Sequence, residues 1–110
     1  MRENYLDGAD ITSKMRSLLI DCMVSVHQQF ELCQETLFLS VNFLDRYLQV
    51  EVDRTPRDQL QLVGIAAMFL ACKIEEIYLP SVEDFVYSTD NAYSEAELRS
   101  MEIKMINVLN

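Results

Sequence analysis

From Ser13 the chain places apolar side chains at Met15, Leu18, Leu19, Cys22, Met23 and Val26, spaced as on one helical face. Thr12 and Ser13 are N-cap types standing just before this run, so a first helix is expected to begin near Ser13. Ile20, Val24 and Phe30 widen the stripe beyond what one core contact needs. A second helix is expected over about Gln34 to Gln49, with Leu37, Val41, Leu44 and Leu48 as its stripe and Phe38 and Phe43 beside it. Pro56 suits the first turn of a third helix, because its missing N–H would have no intrahelical partner there. That helix should run to about Tyr78 and stop before Pro80. Leu62 to Cys72 carries no polar side chain, so the third helix should be surrounded by the others. Gly64 costs about 1 kcal/mol of helix propensity relative to alanine, which close approach of a neighbouring helix would offset.

The segment SVEDFVYS predicts a short fourth helix capped by Ser81, and Ser94 to Glu97 reads S-x-x-E, a capping box that opens a fifth. Leu98, Met101, Met105, Val108 and Leu109 form the stripe of that last helix. The pattern therefore predicts an all-α domain of five helices over residues 11–110, with a central buried third helix and a polar lead-in over 1–10.

Composition narrows the chemistry. The chain has 110 residues, a size for one hydrophobic core, and only two glycines and two prolines, as suits helices. The apolar run is too short for a membrane span, which needs about 20 residues, and the charged N-terminus shows no secretory signal. Cys22, Cys33 and Cys72 have no paired spacing, and with His27 as the one histidine no metal or structural zinc site is expected. They read as reduced intracellular thiols. The net charge of −9 argues against nucleic-acid binding. Eight carboxylates face only Arg99 between Ile74 and Ile103, which reads as a solvated surface or a dock for a basic partner. No glycine-rich phosphate loop occurs, His27 has no obvious partner, and the adjacent Glu75 and Glu76 point about 100° apart on a helix. An enzyme is the weak reading, and no cofactor is implied.

The strings MRSLLIDCMVSVHQQFELCQETLFLSVNFLDRYL, LQLVGIAAMFLACKIEEIYLPSVEDFVY and STDNAYSEAELRSMEIKMINVL occur in the order and spacing of a known family. From Ile11 to the C-terminus the chain resembles the N-terminal cyclin box, most closely that of mitotic A- and B-type cyclins. The resemblance implies a five-helix cyclin-box domain. It also implies a non-catalytic regulatory subunit that binds and activates a cyclin-dependent protein kinase in cell-cycle control, in the nucleus and cytoplasm. An additional helix before the box and a second five-helix domain after it are usual in that family, and neither is expected within these residues.

By motif match, Lys73 of A-C-K-I-E-E and Glu102 of S-M-E-I are implied to face the kinase together, with Leu70, Ile74 and Ile106 around them and Glu76 at the same interface. On the residues alone, Lys73 also reads as a helix C-terminal cation favoured by the dipole, worth roughly 0.3–1 kcal/mol. The Lys73→Ala exchange is expected to weaken kinase binding and to leave the melting temperature nearly unchanged. Arg16 and Asp45 match a family ion pair joining the first two helices. Met15, Leu18, Leu19, Cys22, Leu60 and Gln61 match an apolar patch that captures Arg-x-Leu peptides of substrates and inhibitors. Cys22 departs from the tryptophan usual there, and the loop from Val50 to Arg57 is about two residues longer than in common relatives. Two other readings are a transcription-factor-IIB-like cyclin fold binding DNA and the transcription machinery, and an inactive truncated cyclin fragment. The charge and the KIEE segment favour the kinase reading over the first.

Overall fold

The computed structural model describes residues 13–51, 55, 57–77, 80–87 and 92–109. Five α-helices follow in order: α1 (Ser13–Gln29), α2 (Gln34–Glu51), α3 (Leu60–Glu75), α4 (Val82–Tyr87) and α5 (Glu95–Leu109). A short 3₁₀ turn, Arg57–Gln59, leads into α3. The expected cap at Thr12, the turn residue Pro56, most of the loop after Glu51 and the expected helix end at Tyr78 lie outside the described residues.

α3 packs against each of the other four helices. Its buried residues run almost unbroken from Leu60 to Phe69 and resume at Ala71 and Cys72, as the apolar run requires. Leu44, Tyr47 and Leu48 of α2, Met23 and Val26 of α1, Phe85 of α4, and Leu98 and Met105 of α5 complete one core. Phe85 is held edge-on between Phe30 and Phe69, with both ring centroids 5.2 Å away. A Cβ on Gly64 would lie 2.8 Å from Leu19 Cδ1. The missing side chain makes room for Leu19 of α1 against α3, which is the compensation expected from the sequence.

The helix ends show local chemistry. Ser94 and Glu97 form a reciprocal capping box, the Ser94 N–H donating to Glu97 Oε1 at 3.0 Å and the Glu97 N–H to Ser94 Oγ at 3.1 Å. Ser81 and Asp84 make the same exchange at the start of α4. After α1 the N–H of Leu32 donates to the His27 carbonyl and that of Glu31 to Gln28, which is a Schellman motif. Its left-handed position, usually glycine, is Glu31 at φ 52°. This reversal brings Cys33 to the N-terminus of α2.

The third helix is shorter than expected. It ends at Glu75, and Glu76 takes φ −94°, ψ 140°, an extended geometry that cannot continue a helix. The physical reason is tertiary, since Glu76 is tied by its side chain to the start of α2.

Candidate functional site

The last turn of α3 and the middle of α5 bring Lys73 and Glu102 together. Lys73 Nζ lies 2.7 Å from Glu102 Oε2, with the lysine side chain 38% exposed and the glutamate 9%. The same ammonium stands 4.6 Å from the centroid of the Phe69 ring, one turn back on α3. Glu102 Oε2 is buried, and its contact with Lys73 lacks hydrogen-bond alignment, so it has no hydrogen-bond partner. A desolvated carboxylate is thus neutralised by a cation whose other side is open to solvent. An ammonium has three donors, so this one remains able to donate to an incoming acceptor.

Apolar side chains surround that polar centre. Ile74 and Ile103 are each 60% exposed, Ile106 is 38% exposed, and Leu70 is half-buried against the core. Leu70 and Ile74 are one turn apart on α3, as are Glu102 and Ile106 on α5, so helix geometry puts each pair on one face. Lys73, Glu102, Leu70, Ile74 and Ile106 are the residues that the motif match had singled out, and the end of α3 and the middle of α5 carry them. Ile103 and the Phe69 platform were not singled out. The signals for them were the i, i+4 spacing of Phe69 and Lys73 and the i, i+3 spacing of Ile103 and Ile106.

Glu76 is engaged elsewhere. Its Oε2 accepts from the Cys33 N–H at 2.8 Å and from the Thr36 hydroxyl. Burial pushes this carboxyl up, but the bonds from Cys33 and Thr36 and the nearby His27 outweigh it and hold the group below its ordinary value. His27, for which the sequence shows no obvious partner, donates from Nε2 to the Cys33 carbonyl at 2.9 Å. Cys72, wholly buried beneath this corner, has its thiol pushed up to about 12 by burial first and then by the charges of Glu76 and Cys33.

A second surface forms on the outer side of α1. Met15, Leu18, Leu19, Cys22, Leu60 and Gln61, the six residues matched from the sequence, line one groove of ≈ 350 Å³. Leu19 and Leu60 are core side chains that reach its floor, whereas Leu18 is exposed at its rim. Cys22 is half-buried and free. Beside this surface Arg16 grips Asp45 bidentately, with Nε to Oδ1 at 2.7 Å and Nη2 to Oδ2 at 2.5 Å. The carboxylate is nearly buried and the guanidinium partly open, so the pair joins α1 to α2 at the edge of the core.

Among the described residues no cluster of three His, Cys, Asp or Glu is placed to hold a metal ion, and no helix is long and apolar enough to cross a membrane.

Comparison with known proteins agrees with this architecture. The family model for the cyclin N-terminal domain matches residues 1–110. Cyclin-B2 of Gallus gallus, described as G2/mitotic-specific, is 51% identical over the whole chain. Cyclin-B of Patella vulgata is 50% identical over the whole chain, and cyclin-B1 of Xenopus laevis 49% identical over 99% of it. The chain spans only 27%, 26% and 27% of those proteins' own lengths. Among solved structures, a viral cyclin from herpesvirus saimiri superposes with a TM-score of 0.86 at 26% identity, covering 96% of this chain and 45% of that one. A family match from end to end, near-half identity to mitotic B-type proteins and the shared five-helix arrangement together establish that this chain belongs to the cyclin family, as its N-terminal domain.

Proposed function

We propose that this domain is the kinase-binding part of a regulatory subunit acting in mitotic control, with no catalytic group of its own, and that Lys73 and Glu102 are the polar centre of the contact. The observation that carries the reading is the open side of the Lys73 ammonium, backed by a buried carboxylate and ringed by exposed isoleucines. Energetic centres of protein interfaces combine a desolvated polar group with surrounding apolar side chains that exclude water. Isoleucines at 60% exposure gain most of their stabilisation only when a partner covers them.

The mechanism is selection of a kinase conformation. Efficient phosphoryl transfer requires a glutamate of the kinase αC helix to pair with the lysine at the ATP phosphates. A partner that binds only the inward arrangement of αC shifts the population towards it by its difference in affinity for the two states. Lys73 donates to kinase backbone carbonyls beside αC, while Leu70, Ile74, Ile103 and Ile106 cover the apolar side of that helix. Glu102 fixes the ammonium in place. The domain works where the kinase is, in nucleus and cytoplasm. Titration of a purified cyclin-dependent kinase with this chain should give a saturable complex that Glu102→Ala weakens. A chain that is folded by circular dichroism and gives no complex would overturn the reading.

The groove on α1 supports a second role, capture of Arg-x-Leu peptides from substrates or inhibitors. Cys22 in its lining is too small to serve as an aromatic anchor, where the family resemblance implies tryptophan, so binding to this chain is weak. Because Cys22 lines the groove without being buried, Cys22→Trp should tighten a labelled Arg-x-Leu peptide by roughly thirtyfold, the counterpart of about 2 kcal/mol for an aromatic anchor. A destabilised variant with unchanged peptide affinity would remove this role.

A further inference from the structure

Cys33 is the N-cap of α2, and cysteine is not among the residues that cap well. In an ordinary capping box a glutamate at the third helical position reaches back to the N–H of the cap residue. Here that position is Thr36, whose side chain is too short for the task. The missing carboxylate comes from another helix. Glu76, forty-three positions away, accepts the Cys33 N–H at 2.8 Å and is itself held by the Thr36 hydroxyl. The Thr36 hydroxyl also lies 3.1 Å from Cys33 Sγ, which closes a small network at the helix start. A negative charge at this end of α2 is favoured by the helix dipole as well.

Glu76 is at the same time the C-cap of α3, and its backbone N–H donates to the Cys72 carbonyl at 2.9 Å. Lys73 stands in the turn directly before it. Thr36 is fully buried and cannot touch a partner protein.

We infer that Glu76 is a positioning residue, a capping carboxylate supplied from α3 to α2 that fixes the end of α3 and thereby sets where Lys73 presents its ammonium. The inference rests on the proposed kinase contact for its consequence, but the cap exists without it. Glu76 acts through Lys73 and does not itself meet the kinase.

The test is a double-mutant cycle between two residues, only one of which could reach a partner. Glu76→Ala and Thr36→Val should each weaken the affinity for a purified cyclin-dependent kinase by about tenfold, and the double variant should be no weaker than either single one. Affinity is measured at a temperature where melts show every variant fully folded, so that lost stability cannot mimic lost positioning. Glu76→Gln keeps an acceptor for the Cys33 N–H and should restore most of the affinity. A Thr36→Val variant that binds the kinase as tightly as the wild type, while Glu76→Ala does not, would make Glu76 a direct contact and overturn the inference. Amide exchange of the free chain supplies a readout that needs no kinase. The Cys33 N–H should exchange faster in Glu76→Ala than in the wild type, and an unchanged rate would also overturn it. Unchanged kinase affinity in both Glu102→Ala and Glu76→Ala, with the Cys33 amide deprotected by the latter, would take Lys73 and Glu102 out of the contact and overturn the positioning role, whereas a folded wild-type chain that gives no complex would overturn the kinase reading itself.

Discussion

Removing the Lys73 side chain should destabilise the isolated domain, contrary to what the sequence alone suggests. The reason is the environment of Glu102, whose side chain is 9% exposed and whose Oε2 has no other partner. Breaking a fully buried pair costs about 3–5 kcal/mol, whereas exposed pairs contribute only about 0.2–1 kcal/mol. Lys73 is 38% exposed, so water can follow into the space it leaves and solvate part of the carboxylate. An intermediate cost of about 1–3 kcal/mol is expected, the range for a buried polar group deprived of its partner. Loss of the contact between the ammonium and the Phe69 ring adds a few tenths, within that range. Urea denaturation of Lys73→Ala at neutral pH should therefore show a lower midpoint at unchanged slope. Adding Glu102→Gln should recover most of the loss, because the group left behind is then uncharged. A Lys73→Ala unfolding free energy within about 0.3 kcal/mol of the wild type would show that solvent already reaches Glu102, and would refute the burial that sets this cost.

Three further outcomes follow from the same geometry. Glu31→Gly should stabilise the domain by about 1 kcal/mol in denaturation, because Glu31 holds φ 52° in a motif that favours glycine. Gly64→Ala should be net destabilising by roughly 1 kcal/mol in the same assay, since displacing Leu19 outweighs the gain in helix propensity. Above pH ~9 the unfolded Cys72 thiol ionises while the folded one, at about 12, does not. Stability should therefore fall with rising pH by up to about 1.4 kcal/mol per unit from this group, and Cys72→Ala should flatten that slope.

Much of the fold is legible because its determinants are local. The apolar stripes, the Ser94–Glu97 box and the unbroken run of α3 each act within a turn or two, and the helices form where these signals stand. Gly64 was legible for a related reason, since a glycine inside a buried helix needs a neighbour close enough to justify it. Lys73 and Glu102 were found by motif and not by physics. Nothing in the sequence alone places a cation on α3 against a carboxylate on α5. The cap that Glu76 makes was not legible at all. Its partners Cys33 and Thr36 are forty-three and forty positions away, and the local signal, Pro80, suggested a longer helix. A long-range bond overrode that local signal and ended α3 at Glu75. The partner of His27 was hidden in the same way, because it is a backbone carbonyl that only the turn after α1 brings within reach.

If the proposed function holds, a kinase covers the surface centred on Lys73 and Glu102. It is tested most directly by amide hydrogen exchange of this chain with and without a saturating cyclin-dependent kinase. Added protection is expected over the end of α3, around residues 70–77, and over 102–106 of α5, with the segments around the exposed Phe38 and Val50 of α2 unchanged. Formation of a complex whose protection falls on α2 or on the groove of α1, and spares the ends of α3 and α5, would contradict it.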